Sequence, residues 1–365
     1  MKSLISTICL LALSGCVKIG PHNLKDDSMS YNHAVHSSVD RQLLLNMVRL
    51  RYRDNPTFLQ VGIISSSYEF RRSLGLDTRF DATKSGGFRL NAFSLTPKAS
   101  VDYNEKPTIT YNPVRGEAFS KEMLAPVSMG HIMLLHTSGW KIDRILRTTV
   151  QRMNRLNNAP TASGPTPKCA PQYHDFLELS EILRDLELHD LIRIVTQRDA
   201  KTGEVGFYIL FDHDGHPCHS LARALELLEL DPGTRQAQLI PYHGKEHGPN
   251  QIMIDTRSPL SVLYFLSQSV IPSSQDEGWG RVTVTLDEEG CPFNWDEVLG
   301  GLMKIHSATD SRYQCAGIAI CYRGKIFYID DSDLDSKSTF QMLTQLLALQ
   351  TSCPQIPIYT IPLRD

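Results

Sequence analysis

The stretch from Asp212 to His219 holds the densest group of possible metal ligands in the chain. Imidazole, carboxylate and thiolate groups this close in sequence can bind a transition metal ion. The Asp-Gly and Pro residues of the same stretch are also typical of an exposed turn, and turns tolerate histidine and aspartate freely. If a metal ion binds here, we expect its ligands to be His213, His216, Cys218 and His219.

Two other stretches resemble chemical motifs but depart from them at required positions. The aspartates between residues 330 and 335 resemble a calcium-binding loop, yet Ser336 and Met342 stand where that loop needs glycine and glutamate. Ser128 resembles the serine of a nucleophile elbow, but the first glycine is missing and the surrounding pattern is helical. The chain also has no P-loop and no dinucleotide-binding glycine motif. We therefore expect no cofactor, and the sequence favours a non-enzymatic protein.

Cys16 carries the most specific chemical prediction in the chain. It follows a short apolar run and the residues Leu13, Ser14 and Gly15, which together have the pattern of a lipobox. In that pattern the small residues fit the signal peptidase, and the cysteine thiol takes the diacylglycerol. We expect residues 1–15 to be a signal peptide and Cys16 to be lipidated. The alternatives are an ordinary secretory signal with a chance cysteine, or a buried N-terminal strand.

The residues after Cys16 predict where the anchored protein is held. Val17 and Lys18 include no aspartate retention signal, so in a Gram-negative host the sequence predicts the outer membrane, with the body facing the periplasm. Several acyl chains on one cysteine hold a protein essentially permanently, because each buried CH₂ contributes about 0.8 kcal/mol. No later segment reaches about 18 uninterrupted apolar residues, so we expect no transmembrane helix.

Two groups of arginines are candidate interaction residues. One group ends a predicted helix, where cations complement the helix dipole. The other lies near one face of a second predicted helix, where a solvated face is the usual explanation. The alternative in both cases is a contact with anionic head groups, phosphate or a protein partner. These residues are Arg49, Arg51, Arg53, Arg144, Arg147, Arg152 and Arg155.

The composition is that of a globular protein. The chain has 365 residues, of which 41% are hydrophobic and 21% charged, enough to bury a normal core. Its net charge of −3 and the absence of a basic tail argue against nucleic acid as a partner. Six cysteines remain after the signal and Cys16, and their pairing stays open. A bond between Cys315 and Cys321 is argued against, because both are predicted on one strand.

Periodicity predicts the elements of the first half of the chain. A helix is expected from Asp40 to about Asn55, and a mostly helical segment from Gly116 to Trp140. A further helix is predicted over Ile142–Asn157. The extended stretches are Phe58–Phe70, Phe88–Leu95 and Ala99–Tyr111.

From Tyr173 onwards, helices alternate with hairpins. Hairpins are predicted around residues 199–203 and around Arg323-Gly324, and a third would join Ala237–Pro241 to Gln251–Ile254. Ser258 and Pro259 are predicted to cap and start a helix. Antiparallel hairpins alternating with helices predict an α+β fold, with helices packed on a sheet.

Composition shifts divide the chain into five parts. After the signal peptide, residues 16–39 are polar and predict a lipidated, flexible tether. Residues 40–156 and 173–365 are predicted as N-terminal and C-terminal α+β regions. Residues 157–172 hold four prolines and predict a linker or exposed loop between those regions.

Two blocks, residues 46–59 and 322–340, resemble a group of proteobacterial outer-membrane lipoproteins of unassigned function, as does the stretch Pro107–Tyr111. The resemblance covers most of the mature chain and implies a location, without catalytic residues. We therefore expect an outer-membrane lipoprotein that binds or scaffolds other proteins of the cell envelope. Its partners would be the membrane, through the lipid, and envelope proteins. The alternative is a tethered metal-dependent hydrolase of envelope substrates, centred on residues 213–219.

Overall fold

The computed structural model describes residues 19–84, 88–198, 203, 205–212, 219–242, 244, 248–310, 312–313 and 317–350. It confirms the predicted α+β class, with helices packed on sheets whose strands are mostly antiparallel. The chain forms two compact units. One is Phe58–Val114, called the hairpin below. The other, called the body, contains the described residues before and after it.

The first helix of the body, α1, spans Ile19–Arg51. It begins well before Asp40, so most of the predicted flexible tether is helical. Pro21 does not prevent this, because the N–H groups of the first helical turn have no acceptor within the helix, so a proline there removes no hydrogen bond. The C-terminal half of α1 fits the prediction, since Leu44, Met47 and Val48 are fully buried.

The hairpin consists of two long antiparallel strands, β1 (Leu59–Lys84) and β2 (Phe88–Pro113). Each has 26 residues and is therefore about 86 Å long. The pairing is interrupted by bulges near Gly62 and Asn91. The predicted extended stretches lie within these strands, but their alternation did not reveal that β1 continues to Lys84 or that the strands pair.

The chain re-enters the body through four short helical segments. These are α2 (Gly116–Phe119), a π-helix (Ser120–Leu124), α3 (Met129–Thr137) and α4 (Ile142–Thr149). The predicted helix Ile142–Asn157 is wrong beyond Thr149, where strand β3 (Val150–Met153) begins. The β-branched run Thr148-Thr149-Val150 disfavours helix, and β3 pairs with a strand from much later in the chain.

A six-stranded sheet forms the centre of the body, in the order β4-β3-β8-β7-β6-β5. Its remaining strands are β4 (Leu156–Asn157), β5 (Ile192–Arg198), β6 (Val205–Phe211), β7 (Gln236–Pro241) and β8 (Gln251–Thr256). The β5–β6 hairpin is confirmed, but β7 and β8 pair in parallel, so the hairpin predicted for them is wrong. On their other sides, β7 pairs with β6 and β8 pairs with β3, in both cases antiparallel.

The central sheet takes strands from both predicted α+β regions, so these regions share one core. The segment between them is not an exposed linker. It includes a 3₁₀-helix (Pro160–Ser163), and Ala159, Ala162 and Thr166 are buried. Proline-rich composition indicated a loop correctly but not its burial, which depends on long-range contacts described below.

The rest of the body surrounds the sheet and carries a second, three-stranded sheet in the order β10-β11-β9. Its strands are β9 (His306–Ala308), β10 (Ile318–Tyr322) and β11 (Lys325–Ile329). The helices are α5 (His174–Leu188), α6 (His219–Leu227), α7 (Pro259–Ser267), α8 (Ser274–Gly278), α9 (Asp296–Leu299) and α10 (Leu334–Gln350). Ser258 caps α7 as predicted, because its hydroxyl accepts from the Ser261 amide at 3.2 Å.

Candidate functional site

The proposed metal ligands fall almost entirely outside the described residues. His213, His216 and Cys218 lie there, and His219 is the exposed first residue of α6. Within the described ranges, no group of three histidine, cysteine, aspartate or glutamate residues could hold a metal ion. Cys315 is likewise outside the described residues, while Cys321 lies on β10 as an exposed free cysteine.

Three of the seven arginines predicted as interaction residues are buried in the body. Arg51 donates to the Thr283 carbonyl at 2.9 Å and to the Thr166 hydroxyl at 3.2 Å. Arg144 pairs with Asp335 at 2.6 Å, and Arg147 donates to two backbone carbonyls of the α9 segment. Burial lowers the pKa of Arg51 to about 10. These side chains join distant segments of the body, so they are not available to a partner.

The other four arginines do not form one surface either. Arg53 donates to the Thr166 carbonyl at 3.2 Å, and Arg49 lies 3.5 Å from the Asn46 side-chain oxygen. Arg152 is on β3 rather than on a helix, and the exposed Arg155 pairs with Glu229. The predicted common face of Arg144, Arg147, Arg152 and Arg155 is therefore wrong, because the helix ends between the second and third of them.

Arg257 is a residue whose importance the sequence did not reveal. It is the largest fully buried side chain of the described body, with 0% exposure. Its guanidinium donates to the backbone carbonyls of Arg147, Thr148, Val150 and Asn158 and to the Ser163 hydroxyl. It also lies 3.9 Å from the centre of the Phe265 ring. Burial lowers its pKa to about 9, so it remains charged at neutral pH.

A second buried polar group centres on Asp276, which has 0% exposure. Its carboxylate accepts from the Tyr52 hydroxyl at 2.8 Å, from Arg281 at 3.0 Å and from Ser273 at 3.1 Å. Lys325 donates to the same carboxylate. Burial alone would raise the pKa of Asp276, but the hydrogen bonds, led by that of Lys325, hold it well below its ordinary value.

The Asp276 group contains a serine beside a lysine, an arrangement that could generate a nucleophile. Lys325 donates to the Ser273 hydroxyl, but it also pairs with the buried Asp276 carboxylate. An ammonium group held by a buried carboxylate is a poor proton acceptor. The Ser273 hydroxyl is also committed to capping α8, where it accepts from the Asp276 amide. The geometry therefore indicates an ion-pair junction between α1, α8 and β11 rather than a catalytic pair.

A smaller polar group lies next to this junction. Tyr322 and Arg323 both donate to the Asp54 carboxylate, and Arg323 also lies 5.2 Å from the centre of the Tyr52 ring. The hydrogen bond from Tyr322 lowers the pKa of Asp54. Arg323 and Gly324 have positive φ values of 50° and 75°, as the predicted tight hairpin turn requires.

An open cleft of about 1070 Å³ lies between residues 169–175 and residues 286–294. Tyr173 is buried in its wall, stacks on His174 with ring centres 4.0 Å apart and donates to Glu297 at 2.5 Å. Burial and that hydrogen bond raise the pKa of Tyr173. The acidic lining residues are Asp175, Asp287, Glu288, Glu289 and Glu297, and the exposed free thiol of Cys169 lies among them. The cleft can accept a cationic group, although it contains no fixed set of ligands.

The hairpin offers a different kind of surface. No third strand joins β1 or β2 within the described part of the chain. Near its base, Leu59, Ile109 and Tyr111 are 40%, 42% and 49% exposed. Open strand edges are templates for pairing with other strands, and natural proteins usually shorten or cover them. The hairpin is therefore the strongest candidate for an interaction surface.

The described helices include none that is long and apolar enough to cross a membrane. No family model, no curated protein and no solved structure matches this chain.

Proposed function

We propose that this protein is an outer-membrane lipoprotein that acts as a non-enzymatic binding or scaffold component of a cell-envelope assembly. The lipobox ending at Cys16 supports the anchor. The resemblance expected for residues 46–59 and 322–340 would imply the same location. The observation that carries the binding role is the pair of 26-residue strands, which no third described strand joins.

The hairpin supports a binding role because its two long strands form a sheet of their own among the described strands. A two-stranded ribbon is at best marginally stable in water unless a face or an edge is covered. A lipid anchor on each copy would raise its effective concentration toward other proteins of the same membrane. The proposal therefore assigns membrane attachment to Cys16 and partner binding to the hairpin.

Lipidation is tested by growing cells with labelled palmitate. We expect the wild-type protein to be labelled and to sediment with outer membranes. The Cys16→Ser variant should remain unlabelled and either stay uncleaved or become soluble. A Cys16→Ser protein that is cleaved and still sediments with outer membranes would contradict the anchor.

Binding is tested with a photo-crosslinking amino acid at Ile109 or Tyr111, both exposed at the base of the hairpin. We expect discrete crosslinked products that contain envelope proteins, identified by mass spectrometry. The matched control places the same amino acid at Glu226, whose side chain is 71% exposed on the body. Equal crosslinking from Glu226 and from the hairpin positions would contradict a binding role of the hairpin.

A further inference from the structure

The cleft beside Tyr173 has a floor made by three short backbone segments outside the named strands. Cys169 pairs with Leu286 in a parallel bridge, and Leu286 pairs with Pro292 in an antiparallel bridge. Side chains of residues that pair in this way lie on the same face. All three residues line the cleft, and Leu286 is 42% exposed. Since a cysteine side chain packs as a small apolar group, the floor presents an apolar row to a ligand.

One wall of the cleft is aromatic. The Tyr173 ring stacks on His174 and meets Phe293 edge to face, with ring centres 4.0 Å and 6.0 Å apart. Phe293 in turn meets the buried Trp295 edge to face at 5.3 Å. Tyr173, His174 and Phe293 line the cleft, and of these His174 is exposed and Phe293 half-buried. Aromatic faces attract cations and also cover aliphatic chains, so this wall suits a ligand that has both.

Carboxylates without protein partners line the same cleft. Asp175, Glu288 and Glu289 are exposed, and their side chains accept no hydrogen bond and form no ion pair within the described part of the chain. Asp175 lies in the first turn of α5, where the helix dipole stabilises an acid. Glu288 and Glu289 precede α9 and have no such local role. Their charges are therefore available to a bound cation.

The cations of the lining do not neutralise these charges. Arg155 is the one lysine or arginine among the lining residues, and its guanidinium pairs with Glu229 at 3.1 Å. The ring of His174 is stacked on Tyr173. The cleft is therefore negative, which favours a cationic ligand and repels an anionic one.

The walls favour an organic cation over a metal ion. Acids are common in exposed turns, so the charges alone would not define a ligand. A hydrated metal ion gains nothing from an aromatic wall or an apolar floor, and no three potential ligands among the described residues could hold a metal ion. Ammonium groups on an aliphatic chain match the carboxylates, the rings and the floor together. The volume of about 1070 Å³ is near the upper end of small-molecule pockets, which measure about 300–1,000 Å³.

We propose that this cleft binds a linear polyamine, with its methylene groups over the floor and the aromatic wall and its ammonium groups at Glu288 and Glu289. This assignment goes beyond the scaffold role, because it gives the body a small cationic ligand of its own. It depends neither on the lipid of Cys16 nor on the hairpin.

The charge contribution is tested by isothermal titration calorimetry of the purified full-length protein with spermidine at neutral pH, where the amines are protonated. We expect saturable binding of one spermidine per chain. The double variant Glu288→Gln with Glu289→Gln keeps the shape of both side chains and removes two charges, so affinity should fall at least about tenfold. The matched control Asp331→Asn removes an exposed carboxylate outside the cleft lining and should change affinity by less than about twofold.

The aromatic contribution is tested by Phe293→Leu, which keeps an apolar side chain and removes the ring. Affinity for spermidine should fall about threefold, because the attraction between cation and ring is lost. Circular dichroism shows whether this variant is folded. If it is not, His174→Ala tests the same wall at an exposed position and should also weaken binding.

Four outcomes would overturn the assignment. Spermidine that gives no saturable heat would remove the site, and unchanged affinity in the double glutamine variant would place the ligand elsewhere. Magnesium chloride that displaces spermidine at equal concentration would show a general attraction for cations. Trilysine that binds at least about tenfold more tightly than spermidine would favour a basic protein segment over a polyamine. None of these outcomes bears on palmitate labelling of Cys16 or on crosslinking from the hairpin.

Discussion

In the body, the guanidinium of Arg257 donates to four backbone carbonyls of residues 147–158, a stretch far earlier in the chain. In the hairpin, β1 pairs with β2, and no third strand joins their outer edges in the described part of the chain. The two regions satisfy their backbone polar groups by different means. In the body, buried side chains such as Arg257 supply some of the donors, whereas in the hairpin the two strands pair with each other through their backbones.

This difference has a consequence for stability and for function. A buried charged donor with complete partners holds one arrangement of segments, and removing it leaves several acceptors unpaired. A long open edge instead favours association with another strand. We therefore expect changes in the buried polar groups to unfold the body, and changes in the hairpin to alter assembly while the body stays folded.

The largest expected effect is that of Arg257→Met. The variant removes the charged donor of the Thr148 and Asn158 carbonyls and one of the two donors of the Arg147 and Val150 carbonyls, so we expect a loss of about 3–5 kcal/mol in the free energy of unfolding. Chemical denaturation followed by circular dichroism measures it. The matched control Arg155→Met removes an exposed pair with Glu229 and should change stability by less than about 1 kcal/mol. Equal losses in the free energy of unfolding for the two variants would contradict the expectation that the buried arginine stabilises the body more than the exposed one does.

The next effect is that of Asp276→Asn, which leaves Lys325 buried without its carboxylate partner. We expect a loss of about 3 kcal/mol at neutral pH, measured by denaturation. The exposed Asp331→Asn, which removes a surface pair with Lys337, should cost less than about 1 kcal/mol.

The Asp276 carboxylate also sets an expectation for pH dependence. Its pKa is lower in the folded protein than its ordinary value of 3.8, so the folded state binds the proton less readily than the unfolded state. Its contribution is therefore complete above about pH 4 and is lost as the pH falls toward the folded pKa. The stability gap between wild type and Asp276→Asn should narrow on acidification below pH 4. A gap that is constant down to pH 2 would show that the charge of Asp276 is not what stabilises the junction.

The smallest effect on stability is expected from removal of the hairpin. The Val114 amide donates to the Phe58 carbonyl at 3.0 Å, so the ends of the hairpin are adjacent and a short glycine-serine linker can replace residues 59–113. We expect the unfolding midpoint of the body to change by less than about 2 °C, since surface changes away from a core usually alter stability by less than about 0.5 kcal/mol. Copurification of envelope proteins with the tagged protein, after treatment of whole cells with an amine-reactive crosslinker, should be lost. A body that no longer folds without the hairpin would contradict the separation of the two roles.

Local signals in the sequence predicted the elements that depend on neighbouring residues. Ser258 followed by Pro259 predicted the start of α7, and Arg323-Gly324 predicted a hairpin turn that the positive φ values confirm. The α+β class followed from the succession of such elements. Caps and turns are made by atoms a few residues apart, so their chemistry can be read from the chain directly.

Predictions that depended on distant partners were less successful. Arg144 and Arg147 have the spacing of a solvated helical face, yet both are buried because Asp335 and the α9 carbonyls approach them. Residues 157–172 have the composition of a linker, and their burial follows from donors such as Arg51 and Arg257. The parallel pairing of β7 with β8 has no local signature, because strand direction is set by the neighbours on either side.

The sequence by itself determined the alternation of residue types along the hairpin and the lipobox at Cys16, because both are patterns between near neighbours. Only the tertiary structure decided which residues share a face of the hairpin, since that depends on the register between β1 and β2. It also decided that Arg257 and Asp276 are buried rather than exposed. A charged side chain is stable inside a protein only when it is paired or hydrogen-bonded, and partners such as Tyr52 for Asp276 are too far away in the sequence for a local pattern to encode.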